Sequence, residues 1–390
     1  MSTTLISAAR VIAPGAVLEP GWVETRSGQI SAVGAGSPPR EPDASFPEGT
    51  VAPGFIDAHI HGGGGFSFND PDPAAAAVKI AAVHLEHGTT TLMASLVTAP
   101  LAELKTAVAA LAGLVEDGVL AGIHLEGPWL SPSHRGAHTK DLLQLPDPAS
   151  IDRLMLAGRG TVRMVTVAPE LEGGLAAIRQ ITGHGAVAAI GHTGAGYDLA
   201  RQAIAAGATV GTHVFNAMRP LHHREPGPAL ALLEDPNVFA EVIADGVHLH
   251  PSLVRFISGS PARAVFVTDA MAAACASEGT YQLGGLEVHV ANGEARLASN
   301  GAIAGSVLTL DAAIRHAVNH AGLPLADAVR AATQNPADML GLSDVGRLEP
   351  GRRADLVVLD EGLKVAATMK SGTWCRPAAP VRRRRSGRAG

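Results

Sequence analysis

The sequence predicts an α/β fold in which a (β/α)8 TIM-like barrel carries a small β-sandwich domain built from both chain termini. Two observations predict the barrel: short apolar runs alternate with alanine-rich helical stretches, and the alternation repeats eight times after residue 50. A third observation predicts the second domain. Residues 1–50 and 343–378 contain short strands, broken by glycine and proline, that do not follow this rhythm. The barrel is therefore expected over residues 51–342.

Eight apolar runs are the predicted barrel strands, and several are nearly continuously apolar, as expected for parallel strands covered on both faces. They lie at 51–59, 89–96, 120–126, 162–168, 187–192, 209–213, 239–244 and 264–269. Helices are predicted at 73–87, 101–115, 175–183, 198–206, 306–321 and 325–332. Residues 277–300 resemble a β-hairpin insertion, with Asn292-Gly293 as its turn.

The composition is that of a globular protein with a large aliphatic core, because 46% of residues are hydrophobic but only 3% are aromatic. A net charge of −6 argues against a general nucleic-acid binder. The one basic run, 382–385, lies in a segment, 379–390, that we expect to be a disordered tail. Two cysteines, and no signal-peptide pattern or long apolar run, favour a cytoplasmic location without membrane contact.

Polar residues recur where the predicted strands end, which is where barrel enzymes place their chemistry. His59 and His61 are two residues apart, so on a strand they point to one face. Two imidazoles on one face form a metal-ligand pair, and two structural histidines are the alternative for this pair alone. The other polar strand ends are Glu126, His192, His213 and Asp269. Their joint occurrence favours a metal centre.

The candidate ligands are imidazoles and carboxylates without cysteine, which suits Zn, Fe, Mn or Co in a hydrolytic role. The expected allocation is one metal on His59 and His61, a second on His192 and His213, and Glu126 as a bridge or as a ligand of the second. A divalent metal lowers the pKa of water toward about 7. Asp269 is the candidate general base and acid, which takes the proton of that water and passes it to a leaving amine.

Several motifs carry a resemblance to a known family. They include HGGGG at 61–65, HLEGPW at 124–129, HVFNAM at 213–218 and REPG at 224–227. With these motifs the chain resembles the amidohydrolase superfamily and, within it, the N-acetylglucosamine-6-phosphate deacetylases. The resemblance covers nearly the whole chain except the arginine-rich end. The pair of histidines at 59 and 61 and the segment 346–360 are shared across the superfamily, whereas the HLEGPW, HVFNAM and REPG runs are specific to the deacetylases.

The resemblance implies hydrolysis of N-acetyl-D-glucosamine 6-phosphate to D-glucosamine 6-phosphate and acetate, in amino-sugar catabolism and cell-wall recycling. It implies one or two divalent metals per subunit, with Glu126, His192 and His213 as principal ligands and Asp269 as the proton donor and acceptor. Relatives that keep a pair like His59 and His61 can hold two metals. The implied substrate-binding residues are Ala137, His138, Asn216, Ala217, Arg224, Asp245, His248, Ile303, Ala304 and Gly305.

The resemblance also implies a homodimer or a tetramer in which Arg224 reaches the phosphate in the neighbouring active site. Arginine suits bidentate phosphate recognition, and His222, His223 and His248 would add to a cationic pocket. An exposed loop is the alternative for His222 and His223.

Two other functions remain open at this stage. A cyclic-amide or other N-acyl hydrolase of the same superfamily would share fold and metals, but many such enzymes use a lysine after the fourth strand. Here the sequence 167–170 is VAPE, without lysine, so Glu126 is the expected replacement. A non-catalytic sugar-phosphate binding protein could keep the pocket, but it would have little reason to keep Asp269 together with a full ligand set.

Overall fold

The computed structural model describes residues 3–376, so the expected tail at 379–390 lies outside the described residues. The chain begins with strands of a sheet that both termini share. These strands are β1 (Thr3–Ala13), β2 (Ala16–Leu18), β3 (Gly21–Arg26), β4 (Gln29–Ala35) and β5 (Ala44–Pro53). Their apolar residues pack into a separate core that contains Ile6, Val23, Val51 and Val358.

The barrel follows directly. Its parallel strands are β6 (Phe55–Asp57), β9 (Thr89–Val97), β10 (Gly122–Glu126), β11 (Val162–Val167), β12 (Val187–Ile190), β13 (Ala208–Gly211), β14 (Phe239–Val242) and β15 (Arg263–Phe266). A short hairpin, β7 (Gly62–Gly63) and β8 (Phe66–Ser67), follows β6. The helices are α1 (Pro73–Leu85), α2 (Leu101–Glu116), α3 (Pro148–Ala157), α4 (Gly174–Gly183), α5 (Tyr197–Ala205), α6 (Gly227–Leu233), α7 (Pro251–Ser258), α8 (Leu310–Asn319), α9 (Leu325–Ala331) and α10 (Gln334–Leu340), with a 3-10 turn at Lys140–Leu142.

Hydrogen bonds beyond the last strand join the two ends of the barrel sheet. The backbone N–H of Asp269 donates to the carbonyl of His59 at 2.9 Å, and that of His61 donates to Ala270 at 2.8 Å. The Thr268 hydroxyl donates to the Asp57 carboxylate at 2.6 Å. These contacts bring the first and eighth strand ends together, and the predicted (β/α)8 fold class is confirmed.

Two smaller sheets complete the chain. A meander, β16 (Gly279–Leu283), β17 (Leu286–Ala291) and β18 (Glu294–Leu297), lies between the eighth strand and α8. The last strands, β19 (Leu356–Leu359), β20 (Val365–Lys370) and β21 (Thr373–Arg376), return to the terminal sheet, where β19 pairs antiparallel with β5. The chain termini therefore share one hydrogen-bonded sheet of eight strands.

Three sequence predictions need correction. The run 51–59 is not one strand, because β5 ends in the terminal sheet and β6 starts the barrel. Gly54 lies at the break, where an added Cβ would meet the Thr90 hydroxyl at 2.2 Å. The helix predicted from 306 starts at Leu310, since Ser306 instead bridges to Ala270. The segment 277–300 contains three strands and not two.

The structure also describes the apolar character of the helices and the state of the two cysteines. None of the helices within residues 3–376 has the length and apolar character that a bilayer crossing requires. Cys275 and Cys375 are both exposed and carry free thiols.

Candidate metal centre and binding cavity

Two groups of side chains at the carboxyl end of the barrel can each hold a metal ion. One consists of His59, His61 and Asp269, and the other of Glu126, His192 and His213. All six residues are buried, and the possible ligand atoms within each group lie within 4.8 Å of one another. The six strand-end residues that the sequence singled out are thus brought together.

Glu126 lies between the two groups. Its Oε1 is 3.1 Å from the Nε2 atoms of both His192 and His213, and its Oε2 is 3.1 Å from Nε2 of His61. Asp269 faces it from the eighth strand end, with Oδ1 at 3.0 Å from Nε2 of His61. A carboxylate in this position can contact a metal in either group, as a bridging ligand does.

The donor set fits divalent cations. The carboxylates of Glu126, Asp269 and Glu241 all lie around the two ligand groups, and each is less than a tenth exposed. No lysine or arginine is among the described residues that line the cavity above them. Buried negative charge without a counter-charge is costly. The imidazole nitrogens His192 Nε2 and His213 Nε2 also converge to 3.1 Å, a spacing at which a shared proton or cation offsets lone-pair repulsion.

The outer nitrogens of two histidines have carbonyl partners that fix the ring orientation. Nδ1 of His61 lies 3.1 Å from the carbonyl oxygen of Ser95, and Nδ1 of His192 lies 2.9 Å from that of His134. A carbonyl only accepts, so Nδ1 must be the protonated nitrogen in each ring. Nε2 therefore points to the centre with its lone pair free, as metal ligation requires.

The protonation states of both carboxylates and of His192 suit ligation. Burial lowers the pKa of His61, but hydrogen bonds to Asp269 and Glu126 raise it to about 9, so a metal there must displace a proton. Burial opposes ionisation of Glu126, but the adjacent His59 and hydrogen bonds from neighbouring histidines hold its pKa well below its usual range. The pKa of Asp269 is lowered as well: burial opposes ionisation, but the hydrogen bond from His61 and the charges of His59 and His61 together outweigh it. Burial lowers the pKa of His192 to about 4. At neutral pH both carboxylates are ionised and His192 is neutral, which are the metal-binding forms.

A cavity of about 310 Å³ opens above this centre. Several predicted substrate-binding residues line it. They are Ala137, His138, Asn216, Ala217, His248, Ile303 and Gly305. His138 also approaches the centre, because its Nε2 is 3.4 Å from Oε2 of Glu126.

Other predicted residues lie outside the cavity lining. Asp245 lies behind His248 and orients it, with Oδ2 at 2.7 Å from Nδ1 of that ring. Ala304 is buried in the core of the meander. Arg224 is exposed in the segment 218–228, and its guanidinium lies 2.8 Å from Nε2 of His223. The rings of His222 and His223 pack beside each other in the same exposed segment, away from the cavity lining.

The structure adds residues that the sequence analysis missed. Ser133, His134 and Gly136 line the cavity, as does Leu283 from the meander. An added Cβ at Gly136 would lie 3.1 Å from the His192 ring, so a glycine there lets the loop approach the ligand. The SHRG run at 133–136, which follows the HLEGPW motif, was the available signal. No sequence signal marked Leu283 as a cavity residue, because it comes from a separate β-insertion.

Comparisons with known proteins identify the family of the chain. The amidohydrolase family profile matches residues 50–375. A solved structure of N-acetyl-D-glucosamine-6-phosphate deacetylase from Mycobacterium smegmatis, an aspartate-to-alanine variant in complex with N-acetyl-D-glucosamine-6-phosphate, superposes with a TM-score of 0.93. The two sequences are 50% identical, and the alignment covers 97% of this chain and 100% of that one.

Curated relatives extend the similarity to other organisms. An N-acetylgalactosamine-6-phosphate deacetylase from Escherichia coli O157:H7 is 39% identical over 81% of this chain and 85% of its own length. The human N-acetylglucosamine-6-phosphate deacetylase is 38% identical, with 84% of each chain covered.

Proposed function

Because the chain belongs to the amidohydrolase family, we propose that it hydrolyses the N-acetyl amide of N-acetyl-D-glucosamine 6-phosphate to D-glucosamine 6-phosphate and acetate. The observation that carries the proposal is the 50% identity, across 97% of the chain, to a deacetylase bound to that sugar phosphate. A divalent metal belongs to this function, and the two ligand groups supply its site.

Asp269 is the proposed proton carrier. A divalent metal at this centre polarises the substrate carbonyl and lowers the pKa of water. The ionised carboxylate of Asp269 takes a proton from the attacking water while the water oxygen bonds to the acetyl carbon. When the C–N bond breaks, Asp269 returns this proton to the sugar nitrogen. The Asp269 carboxylate is regenerated. The second proton of the water leaves the acetic acid, so at neutral pH the products are acetate and the protonated amine.

The proposed metal content is two ions per subunit, drawn from Zn, Fe, Mn and Co, with Glu126 between them. Support comes from the two separate ligand groups and from the 3.1 Å distances by which Glu126 reaches both. His59 and His61 would hold the first metal, and His192 and His213 the second.

The remaining site residues are proposed to hold the sugar. Asn216 and His248 offer polar groups in the cavity, and His138 lies close enough to the centre to contact the acetyl carbonyl. The substrate phosphate needs a cation, but no lysine or arginine is among the described cavity residues. We propose that Arg224 of a second subunit supplies it within a homodimer or tetramer. A cytoplasmic location is also part of the proposal, because both cysteines are free thiols.

Acetate release on protein of measured metal content tests the function. The phosphorylated sugar should be turned over with a kcat/KM far above that of N-acetyl-D-glucosamine. Tight binding of the phosphosugar without acetate release would leave the protein as a sugar-phosphate binder, and turnover of dihydroorotate would favour a cyclic-amide hydrolase.

The 4-epimer is a second candidate substrate, because the Escherichia coli relative is an N-acetylgalactosamine-6-phosphate deacetylase. The same assay with N-acetyl-D-galactosamine 6-phosphate decides between the two sugars. A larger kcat/KM for the galactosamine compound would reassign the substrate and leave the reaction unchanged.

A further inference from the structure

Glu241 is a buried carboxylate that the proposed chemistry does not use. It lies on β14, is completely inaccessible to solvent and does not line the cavity. An ionisable side chain in such a place requires compensation by partners or by nearby positive charge.

One oxygen of Glu241 contacts both ligand groups. Its Oε2 is 2.9 Å from Nδ1 of His59 and accepts the backbone N–H of His213 at 3.2 Å. Its other oxygen, Oε1, has no hydrogen-bond partner among the described residues. A buried oxygen without a partner is costly, so hydrogen bonding alone does not explain why a carboxylate is placed here.

We infer that Glu241 is a positioning residue that couples the two metal positions. By accepting from Nδ1 it fixes the His59 tautomer, so that Nε2 faces the centre, and it makes that nitrogen a stronger donor. By holding the backbone N–H of His213 it stabilises that residue at φ 27°, a left-handed conformation that non-glycine residues rarely adopt. The inference rests on the proposed function only in requiring that the centre holds metal.

Two substitutions separate the charge of Glu241 from its hydrogen bonds. Because one oxygen accepts both bonds, the amide oxygen of Glu241→Gln can keep both while the negative charge is lost. Glu241→Ala removes the charge and the bonds. The matched control is Asp311→Asn, which removes a buried carboxylate outside the metal centre.

Chelator competition on metal-loaded protein gives the affinity of each metal without reference to activity. Glu241→Gln should weaken the metal held by His59, because an amide behind the imidazole makes Nε2 a weaker donor than a carboxylate does, within the roughly 10–100-fold that changes behind a metal ligand usually cause. Glu241→Ala should weaken both metals, and Asp311→Asn neither. Circular dichroism shows which variants fold, and if Glu241→Ala does not fold, Glu241→Gln alone decides.

A double-mutant comparison separates positioning from general damage. If Glu241 acts on the first metal through His59, Glu241→Gln should have no further effect on metal affinity in a His59→Asn background. Unchanged affinity of the metal held by His59 in Glu241→Gln overturns the inference, and so does a wild type that holds metal only in the group of Glu126, His192 and His213. An equal loss of metal affinity from Glu241→Gln in the wild type and in the His59→Asn background also overturns it. Wild-type protein that binds no metal would instead overturn the proposed function.

Discussion

At the scale of single residues, the metal centre is built from strained positions. His192, His213 and Asp269 have φ values of 47°, 27° and 50°, in the left-handed region that costs a non-glycine residue about 1 kcal/mol or more. Each follows the last residue of a barrel strand by two or three positions. The left-handed turn ends the strand and directs the side chain toward the metal centre.

Asp269→Asn should keep the fold and the metal held by Glu126, His192 and His213, but lose turnover by roughly 10²–10⁴-fold. An amide has nearly the size of the carboxylate but cannot accept the proton of the attacking water. Acetate release measured beside elemental analysis checks this expectation, with Asp338→Asn as a control for loss of an acidic group at a partly buried ion pair outside the metal centre. Near-normal turnover in the metal-loaded variant would rule out Asp269 as the base.

The two histidine pairs should differ in their effect on activity. His192→Asn and His213→Asn should abolish turnover, because the family resemblance implies that these residues and Glu126 are the principal metal ligands. His59→Asn and His61→Asn should remove at most one metal and leave measurable turnover, because the other ligand group remains complete. Elemental analysis of each variant tests this. Wild-type metal content in a chain lacking both His192 and His213 would contradict the assignment.

The sequence was informative about which residues form the centre because strand ends are recognisable from apolar runs. It did not reveal Glu241, since a single glutamate inside an apolar run has the same appearance whether it faces a ligand or solvent. The left-handed φ values could not be predicted either, because a His or Asp in the sequence does not indicate which backbone conformation it adopts.

At the scale of elements, the strand–helix alternation predicted the barrel, and it failed where tertiary contacts decide an element's limits. The run 51–59 has uniform apolar character, but the Thr90 side chain against Gly54 divides it between two sheets. In the meander, the strand that the predicted hairpin lacks is β16, which pairs with β17 around Gly284-Gly285, whereas the predicted turn at Asn292-Gly293 joins β17 to β18. Such boundaries depend on residues distant in sequence.

An ion pair between His87, after α1, and Asp311, in the first turn of α8, should make stability depend on pH. The Asp311 carboxylate, with a contribution from Cys275, raises the pKa of His87 to about 10, above an unfolded value of about 6.5. A raised folded-state pKa stabilises most below the unfolded pKa, and this stability is lost as pH rises through the folded value. The free energy of unfolding that His87→Gln removes should therefore be largest at or below about pH 6.5 and shrink toward about pH 10.

Urea unfolding of the wild type and His87→Gln at several pH values measures this difference. The pKa of Asp311 is lowered despite its burial, with His87 as the strongest favourable partner, so its own contribution is present above about pH 4 and lost at more acidic pH. In an Asp311→Asn background the His87 substitution should have a smaller, less pH-dependent effect. A difference that stays constant from pH 6 to 10 would mean that the pair is not ionic.

At the scale of the whole molecule, one chain supplies the centre but not a complete phosphate site. The cavity has metal ligands at its base and histidines on its wall, yet none of its described lining residues is a lysine or arginine. Arg224 lies instead in an exposed segment held by the Arg219–Glu225 ion pair and the bridge between His222 and Glu225. Local sequence patterns do not predict this arrangement, because it depends on how folded segments pack, whereas the boundaries near residues 50 and 343 were expected from the break in the strand–helix rhythm and stay a prediction.

Arg224→Ala should depress kcat/KM strongly for the phosphorylated sugar and little for the unphosphorylated one. The phosphate is distant from the breaking amide, so its binding energy acts mainly by positioning the substrate. If Arg224 serves the neighbouring subunit, mixing Arg224→Ala with Asp269→Asn chains should restore activity, because a mixed dimer has one site with Asp269 from one chain and Arg224 from the other. Each parent mixed with itself is the control. No recovery despite confirmed subunit exchange would mean that Arg224 acts within its own chain or not at all.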